Sequence, residues 1–256
     1  MAATPEKFQQ VRIVQRRDHT KDLWTIRVAL EQPLPFTPGQ HATLGMNTGS
    51  RPLERAYSIA SSPLENEVEF FFELVQDGAL SPRLYELVVG DTFLMRRQAK
   101  GLFTLDTKSG HPQHYLVCTV TGIAPYVSMV RTLAMEAEKG TPPAVRLVVL
   151  QAASRSWELV YHDEFNRLAK AHPWLEYIPT VSRPWEDTAW KGEVGRAEDV
   201  LRKHLDARGL EPATTTAYVC GHPIMVENAK GMLQRRGFPR ESIREEVYWV
   251  PKKPHG

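Results

Sequence analysis

The stretch ERAYSIASSP, residues 54–63, carries three side chains that a strand needing only to fill a core would not use. Arg55 offers a planar set of donors that matches a pyrophosphate. Tyr57 can stack on an aromatic ring, and Ser58 can donate a hydrogen bond to the edge of that ring. Structural explanations also exist, namely a surface ion pair for Arg55 and barrel packing for Tyr57. The stretch therefore predicts a site for a flat, phosphate-bearing molecule only if the rest of the chain supplies its other parts.

Two strand-to-helix turns later in the chain place a glycine just before the start of a helix. In YLVCTVTGIAPYVSMV a strand runs into Thr121-Gly122, and in TTTAYVCGHPIMVENAK a strand ends at Cys220-Gly221. Glycine lets a backbone or a flat group approach closely, and free amides at a helix start favour a pyrophosphate. Many such turns contain glycine for structural reasons alone, and a cysteine such as Cys220 is commonly a buried, inert thiol. Each turn alone therefore leaves a nucleotide site and a structural turn as alternatives.

Arginines recur after the predicted strands of the second half. Arg155 follows VRLVVLQAAS, Arg183 follows LEYIPTVS, and Arg196 lies in KGEVGRAEDV. A single one of them is explained equally well as a solvated surface residue. Ligands of doubly wound sheets bind beyond the carboxyl ends of the strands, so the recurrence favours phosphate binding. The stretch DGALSPRLYEL offers a further phosphate cradle at Gly78 and the helix start Leu80-Ser81.

The bulk composition is that of an ordinary globular protein. The chain has 256 residues, of which 42% are hydrophobic and 24% charged, and its net charge of +2 is too small to indicate nucleic-acid binding. No apolar run predicts a membrane span, and the start MAATPEKFQQ does not resemble a secretory signal, so we expect a cytoplasmic protein. The two cysteines, Cys118 and Cys220, are too few and too far apart in sequence to hold an iron–sulfur cluster or another metal.

The residues that carry this chemistry fall in two halves with different hydrophobic periods. The first ~105 residues contain short, often alternating runs typical of strands in a closed barrel or sandwich. One helix is predicted over residues 81–88, with Ser81 as its cap and Pro82 in its first turn. The strand-like runs of this first half are FQQVRIVQRR, DLWTIRVAL, HATLGM, ERAYSIAS, EVEFFFELV and DTFLMRR.

The second half alternates compact apolar runs with helical patterns, which indicates a parallel sheet covered on both faces. A boundary near residues 107–114 predicts two domains, 1–106 and 107–256. The strands are YLVCTV, VRLVVL, LEYIPTV and TAYVC, and the helices are APYVSMVRTLAMEAEK, WELVYHDEFNRLAK, RAEDVLRKHLDAR and IMVENAKGMLQRR.

The motifs RAYS, DGALSPRL, TGIAPY, VCGHPIM and EEVYW, in this order, resemble those of bacterial-type ferredoxin–NADP⁺ reductases of the plant-type reductase superfamily. The resemblance runs from about residue 8 to Trp249 and implies two domains. The first is an antiparallel β-barrel that binds FAD. The second is an α/β Rossmann-like domain with a parallel sheet that binds NADP(H), followed by a C-terminal tail that returns to the FAD.

The resemblance also implies roles for individual residues. For FAD it implies that Arg55, beside Ala56, contacts the pyrophosphate, that Tyr57 stacks on one flavin face and that Ser58 lies near flavin N5. It also implies that the aromatic Phe71 lies beside the cofactor and that Ala79, Leu80 and Ser81 contact the phosphates. Thr121 would border the flavin and the nicotinamide, Tyr248 would cover the other flavin face and Trp249 would lie against the adenine. For NADP(H) it implies Thr121, Gly122, Arg155, Ser182, Arg183, Arg196, Cys220, Gly221 and Met225. The three arginines of this set would hold the 2′-phosphate region of NADP. The residues implied in hydride transfer are Ser58, Cys220 and Glu246.

The activity implied is transfer of a hydride between NADPH and FAD, and of single electrons between FAD and a ferredoxin or flavodoxin. Nothing in the sequence demands more than a monomer. Basic residues that could dock an acidic partner are Arg96, Arg97, Lys100, Lys252 and Lys253, with a solvated face as the alternative. Two other functions remain open: an NAD(P)H-dependent flavin reductase component serving an oxygenase or other acceptor, and an FAD redox-sensing module without turnover. The set Thr121, Cys220 and Glu246 argues against the sensing module.

Three features depart from the family pattern. Val120 stands where relatives carry the first glycine of GTG, which predicts a tighter pyrophosphate turn. Arg155 lies one residue closer to Glu158-Leu159 than in relatives, which predicts a weaker phosphate contact. The segment VPKKPHG extends past Trp249, where many relatives stop.

Overall fold

The computed structural model describes residues 7–49 and 52–248, and these form two compact units. The described residues up to Leu105, together with Ala124–Met135, make up the first unit. Asp106–Ile123 and the described residues from Glu136 onward make up the second. None of the helices in these residues has the length and apolar character needed to cross a membrane.

The elements of the first unit are β1 (Phe8–Asp18), β2 (Leu23–Leu30), β3 (His41–Asn47), β4 (Pro52–Ser58), β5 (Val68–Glu73), α1 (Ser81–Tyr85) and β6 (Thr92–Arg96). The strands form one antiparallel sheet with the order β4-β3-β6-β1-β2-β5. An antiparallel bridge between Ile59, directly after β4, and Phe70 in β5 joins the two edge strands and closes the sheet. The predicted antiparallel barrel is thereby confirmed.

Alternation along the strands produces the barrel core. In β1 the side chains of Val11 and Ile13 are buried, whereas Arg12 between them is exposed. The ring of Trp24 in β2 is fully buried and stacks on Phe72 of β5, with ring centroids 5.1 Å apart. Each such buried side chain contributes roughly 1.5–3 kcal/mol of hydrophobic free energy, so this alternation fixes the register of the strands that carry the candidate site.

The remaining elements of the chain are β7 (Gln113–Thr119), α2 (Ala124–Glu138), β8 (Arg146–Ala153), α3 (His162–Ala171), β9 (Leu175–Val181), β10 (Glu193–Val194), α4 (Ala197–Ala207), β11 (Thr215–Gly221), α5 (Pro223–Arg235) and β12 (Ile243–Val247). The second unit is built on the six strands of this set, which form a parallel sheet with the order β10-β9-β8-β7-β11-β12. The predicted parallel α/β domain is confirmed. Seven consecutive residues of β11 are buried, as expected for a parallel strand covered on both faces.

Most of α2 belongs to the first unit, where polar contacts attach it to the barrel. The Ser128 hydroxyl donates to the carbonyl oxygen of Ser61 at 2.7 Å. Arg131 forms an ion pair of 2.9 Å with Glu69 of β5, and Arg27 of β2 contacts the same carboxylate at 2.6 Å. Because Glu69 is buried, losing either arginine would leave its charge undercompensated. The helical period of the sequence gave no indication of this attachment.

A buried polar cluster lies at the start of the second unit. The Tyr218 hydroxyl of β11 accepts from the backbone amide of Asp106 at 2.7 Å and lies 2.9 Å from Nδ1 of His114 in β7. The Asp106 carboxylate forms an ion pair of 3.0 Å with Arg244 of β12. Burial lowers the pKa of His114 to about 4, so this imidazole is neutral at physiological pH.

Two helices differ from their predicted form. Leu80, not Ser81, is the N-cap residue of α1, and the helix ends at Tyr85 rather than at residue 88. The Ser81 hydroxyl is bonded to the backbone of Val75 instead, so it shapes the loop before the helix rather than the helix end. The predicted helix over 157–170 begins only at His162, because residues 156–158 form a 3₁₀ turn.

Two strands also differ from the prediction. β7 ends at Thr119, and a 3₁₀ turn over Val120–Ile123 separates it from α2, so the strand does not run into Thr121-Gly122. The segment before Tyr248 forms β12, which the sequence did not predict as a strand because IREEV contains no compact apolar run.

Candidate functional site

The candidate residues of β4 differ in exposure in a regular way. Arg55 and Ala56 are exposed, Tyr57 is half-buried and Ser58 is buried. Arg55 donates to the carbonyl oxygen of Glu54 at 2.7 Å, and the described residues offer it no ion pair with a carboxylate. Its guanidinium therefore keeps donors available for an anion. Because side chains alternate along a strand, Arg55 and Tyr57 lie on the same face of the sheet.

Tyr57 combines packing with partial exposure. Its ring meets the buried Phe72 edge to face, with centroids 4.9 Å apart, and belongs to the margin of the barrel core. Burial raises the pKa of Tyr57 to about 12, so the phenol stays protonated under ordinary conditions. Barrel packing thus describes part of this residue, and the exposed part of the ring remains available for stacking.

Ser58 and Phe71 meet at the seam that closes the barrel. The bridge between Ile59 and Phe70 is antiparallel, so the residue before Ile59 is aligned with the residue after Phe70. Both Ser58 and Phe71 are buried, and the Phe71 ring packs against His19 with centroids 6.3 Å apart. The closure of the barrel thereby brings two of the predicted cofactor residues together.

The loop that precedes α1 is held in a tight conformation. A side chain on Gly78 would place its Cβ 2.8 Å from the Val75 carbonyl oxygen and 2.9 Å from the Ser81 hydroxyl, so no larger residue fits there. Ala79 is exposed, whereas Leu80 is buried in the barrel core. Of the predicted phosphate contacts, the structure therefore leaves Ala79 accessible and uses the side chains of Leu80 and Ser81 for packing and loop geometry.

In the second unit, three of the strands align polar side chains in one row. Cys118 of β7 is paired in register with Cys220 of β11, and Cys220 is paired with Glu246 of β12. Both cysteines are fully buried and free. Burial, followed by the charge of Glu246, raises the pKa of the Cys220 thiol, and a hydrogen bond with Tyr248 opposes this shift. Cys220 is consequently a protonated thiol.

Tyr248 and Thr121 are also brought together. The Tyr248 hydroxyl donates to the Thr121 carbonyl oxygen at 2.8 Å, while 38% of the Tyr248 residue surface remains exposed. Trp249 and the segment VPKKPHG, including Lys252 and Lys253, lie outside the described residues.

The two glycines of the strand-end turns have structural roles that the sequence did not reveal. A Cβ on Gly122 would lie 2.4 Å from the Cys220 carbonyl oxygen, and a Cβ on Gly221 would lie 2.4 Å from the Thr119 hydroxyl. Gly221 also has a φ of +130°, which only glycine adopts readily. The space left by Gly122 is therefore filled by the β11 backbone, which approaches the glycine closely.

Val120 carries the backbone strain of this turn. Its φ of +41° is the only positive value at a non-glycine residue in the described segments. This conformation disfavours β-branched residues, and it explains in physical terms why a glycine suits the position. The side chain packs at the margin of a small cluster formed by Ala153, Leu159 and Val181.

The three candidate arginines have different surroundings. Arg155 is engaged by two carboxylates, Glu158 at 3.0 Å and Glu186 at a shorter distance. Arg183 is about half exposed and lies 3.6 Å from the second of these carboxylates. Arg196 is exposed at the N-cap of α4, and no described residue forms an ion pair with it. The prediction of a weaker Arg155 contact thus gains a second cause, namely neutralisation by Glu158 and by Glu186 of another loop.

A regular spacing in the sequence marks the acid local to each candidate arginine, but not the approach of Glu186 to Arg155. RSWE, RPWE and RAED each place an acidic residue three positions after one of the candidate arginines.

Two further residues that are predicted to bind the nucleotide make contacts within the protein. The Ser182 hydroxyl donates to the Ala153 carbonyl oxygen at 3.4 Å, and Met225 of α5 is buried in the core that this helix shares with α4 and the sheet. Arg96, a candidate docking charge, is paired with Glu54 at 2.6 Å, whereas Lys100 is exposed. No group of three or more His, Cys, Asp or Glu in the part of the chain described here could hold a metal ion.

Two family models match separate parts of the chain. Residues 10–103 match the oxidoreductase FAD-binding domain, and residues 116–231 match the oxidoreductase NAD-binding domain. The chain is 31% identical over 232 residues to the ferredoxin–NADP reductase of Pseudomonas aeruginosa, which covers 84% of this chain and 85% of that protein. The chain belongs to the ferredoxin–NADP reductase family. The resemblance stated from the sequence motifs is therefore confirmed.

Other members of the family match over similar lengths. Ferredoxin–NADP reductase A of Sorangium cellulosum is 28% identical over 247 residues, covering 91% of this chain and 85% of that protein. A ferredoxin NADP⁺ reductase from Neisseria gonorrhoeae, whose crystal structure contains bound FAD and NADP, shares the fold with a TM-score of 0.82. Its identity is 24%, and the match covers 96% of this chain and 100% of that chain.

Proposed function

We propose that the protein is an FAD-containing enzyme that transfers a hydride between NADPH and FAD and exchanges single electrons with a ferredoxin or flavodoxin. Family membership supports the reaction class. The observation that carries the assignment to this chain is the arrangement on β4. There an exposed arginine without a carboxylate partner lies on the same face as a half-buried tyrosine, followed by a buried serine.

The residues of β4 fit FAD by their chemistry. Arg55 offers unused donors of the kind that bind a diphosphate, and the adjacent Ala56 adds no bulk to the exposed strand. Tyr57 offers a stacking plane, and its phenol, whose pKa burial raises to about 12, is neutral. Ser58 supplies a hydroxyl held in place by the barrel seam. FAD, when bound, supplies both hydride and single-electron chemistry.

The residues of the second unit fit a role in hydride transfer without covalent catalysis. Cys220 is buried and its raised pKa keeps the thiol protonated, so it can position a neighbouring group but is not a nucleophile. Glu246 is fixed beside it by strand pairing. The Tyr248 hydroxyl is bonded to the Thr121 carbonyl, and we propose that release of this bond accompanies substrate binding.

The partner is a ferredoxin or flavodoxin, and we propose that the docking surface on this protein includes the exposed Lys100 but not Arg96, whose charge is compensated by Glu54. We further propose that the enzyme acts as a monomer, since nothing in its sequence demands more than one chain. The free state of Cys118 and Cys220 suits a reducing compartment, and we propose the cytoplasm.

An absorption spectrum of the purified protein, taken before and after anaerobic addition of NADPH and then of oxidised ferredoxin, tests the proposal. We expect flavin bands that NADPH bleaches and that ferredoxin restores. Bleaching by NADH and NADPH alike, without transfer to ferredoxin, would instead indicate a flavin reductase component for another acceptor. A yellow protein that neither nucleotide bleaches would indicate the redox-sensing module, and a colourless protein that takes up no FAD would contradict all three functions.

A further inference from the structure

Two neighbouring loops of the second unit repeat the pattern Arg-X-Trp-Glu. Residues 155–158 follow β8 and residues 183–186 follow β9, and each loop forms a 3₁₀ turn directly after its arginine. Because β8 and β9 are adjacent and parallel, both loops leave the same edge of the sheet. The two tryptophans, Trp157 and Trp185, are 49% and 70% exposed.

The charges of the two arginines and the two glutamates in these motifs cancel. Arg155 contacts Glu158 at 3.0 Å and contacts Glu186 more closely still, and Arg183 lies 3.6 Å from Glu186. Two guanidinium groups therefore face two carboxylates, and the cluster has no net charge. The cluster therefore attracts an incoming phosphate less than two uncompensated arginines would.

The two acids have different tasks within the cluster. One oxygen of Glu158 accepts hydrogen bonds from the backbone amides of Ser154 and Arg155, at 2.9 and 3.3 Å, so this carboxylate shapes its own loop. The two oxygens of Glu186 instead point to arginines, one to Arg155 and the other to Arg183.

The loops are also connected without Glu186. Asp187 accepts the backbone amide of Ser156 at 2.8 Å and so ties the second loop to the first. Glu186 thus adds charge compensation to a geometry that other bonds maintain.

We infer that Glu186 is a specificity-determining residue that competes with the 2′-phosphate of NADP(H) for Arg155 and Arg183. The inference rests on the proposed function, which makes NADPH the substrate. NADP and NAD differ only in this phosphate, so a carboxylate that occupies its cationic partners reduces the preference for NADPH without affecting NADH. Arg196, which has no ion pair with a described residue, retains part of the preference.

The experiment measures binding rather than turnover. Adenosine 2′,5′-bisphosphate and 5′-AMP are titrated into the FAD-loaded protein by calorimetry at low ionic strength, for the wild type and for Glu186→Gln. We expect the variant to bind the bisphosphate about fivefold more tightly and 5′-AMP equally well. The gain should shrink at high salt, because the charges are partly exposed. It should also shrink when Glu186→Gln is made in an Arg183→Ala background, because one of the freed arginines is then missing.

Glu176→Gln is a matched control. Glu176 also bridges two arginines, Arg146 at 2.9 Å and Arg208 through a hydrogen bond of 2.6 Å, and its side chain is 36% exposed, as is that of Glu186. It lies near the start of β9, on the order of 15 Å along the strand from the loop that carries Glu186. We expect this variant to bind both ligands as the wild type does.

Three results would overturn the inference: unchanged bisphosphate binding in Glu186→Gln, weaker bisphosphate binding, or an equal change for 5′-AMP. Weaker binding would mean that Glu186 positions the arginines rather than competing for them. The spectral test separates these results from a failure of the proposed function. If NADPH bleaches the flavin and the variant shows no gain, only the role of Glu186 is wrong.

Discussion

Cys220 and Glu246 lie side by side in the parallel sheet, paired in register on β11 and β12. Cys220 is fully buried, and both burial and the neighbouring carboxylate raise the pKa of its thiol. A thiol kept protonated in this way has neither the nucleophilicity nor the alkylation reactivity of a thiolate. The pair is therefore suited to hold a reacting group in position, not to form a covalent intermediate.

Replacing Cys220 should slow hydride transfer without loss of the cofactor. We expect Cys220→Ala and Glu246→Ala to stay yellow and to be reduced by NADPH roughly tenfold more slowly, the effect of about one lost hydrogen bond or contact. Stopped-flow bleaching of the flavin measures this rate. Cys118→Ala is the control, because Cys118 is equally buried and pairs with Cys220 on the other side. Equal rates in the wild type and in both Cys220→Ala and Glu246→Ala would remove these residues from the catalytic assignment.

Arg55 should govern retention of FAD. Loss of a charge-assisted contact with a diphosphate costs about 1.5–3 kcal/mol, so Arg55→Ala should bind FAD roughly ten- to a hundredfold more weakly. Fluorescence of flavin released on dilution measures the affinity. Arg12→Ala is matched to it, since Arg12 is likewise exposed on the barrel and donates to a backbone carbonyl oxygen, that of Gly90. If both variants release FAD as slowly as the wild type, Arg55 has no part in binding it.

The sequence predicted the residue types and order of the strands better than the contacts between segments that lie far apart in the chain. The residue types of β4 and the change from alternating to continuous apolar runs were enough to predict a barrel followed by a parallel sheet. The compensation of Arg155 by Glu186 was not predictable, because it joins loops that follow different strands and depends on their adjacency in space. The attachment of α2 to the barrel was missed for a related reason. Its contacts with Ser61 and Glu69 are made by polar residues that a helical period counts as solvent-facing.

The buried His114 should make stability depend on pH. Its pKa is lowered from 6.5 to about 4 by burial, so the unfolded chain binds a proton that the folded chain refuses between these values. Stability is therefore fully present above about pH 6.5 and is lost as the pH falls toward 4, at up to about 1.4 kcal/mol per pH unit for this group. We expect the free energy of unfolding, measured in urea, to decrease less steeply as the pH is lowered in His114→Gln than in the wild type.

Other titrating groups also contribute to the pH dependence measured in that experiment. Burial is the first cause of lowered pKa values at four further histidines, His19, His41, His162 and His204. The change of the wild-type free energy of unfolding with pH therefore includes their contributions, and the variant removes only the contribution of His114. The pKa of Asp106 is lowered to below its ordinary range, so its contribution is lost only under more acidic conditions. An identical slope in His114→Gln and the wild type between about pH 7 and about pH 5 would show that the imidazole is not held neutral.

The close approach at Gly122 should make substitution there costly. The Cβ of an alanine would lie 2.4 Å from the Cys220 carbonyl oxygen, so the turn or β11 must shift. We expect Gly122→Ala to lower the free energy of unfolding by about 1–3 kcal/mol, the usual cost of overpacking. Gly231→Ala in α5 should have the opposite sign, because its Cβ would meet only the flexible end of Arg235, and alanine favours a helix by roughly 0.5–1 kcal/mol. Thermal unfolding of both variants compares them, and a neutral Gly122→Ala would contradict the assigned contact.

The preference for NADPH over NADH should depend most on the arginine whose charge is least compensated by neighbouring acids. Arg196 has no ion pair with a described residue, Arg183 shares Glu186, and Arg155 is held by two carboxylates. A charge-assisted contact with the 2′-phosphate contributes about 1.5–3 kcal/mol when the cation is free, and less when an acid already compensates it. We therefore expect kcat/KM for NADPH to fall by roughly one to two powers of ten in Arg196→Ala, by less in Arg183→Ala and least in Arg155→Ala. Values for NADH should change little, because it lacks the phosphate, and added salt should narrow the differences. Equal losses with both nucleotides would mean that these arginines hold the fold or the shared pyrophosphate, and the assignment of the 2′-phosphate site would be wrong.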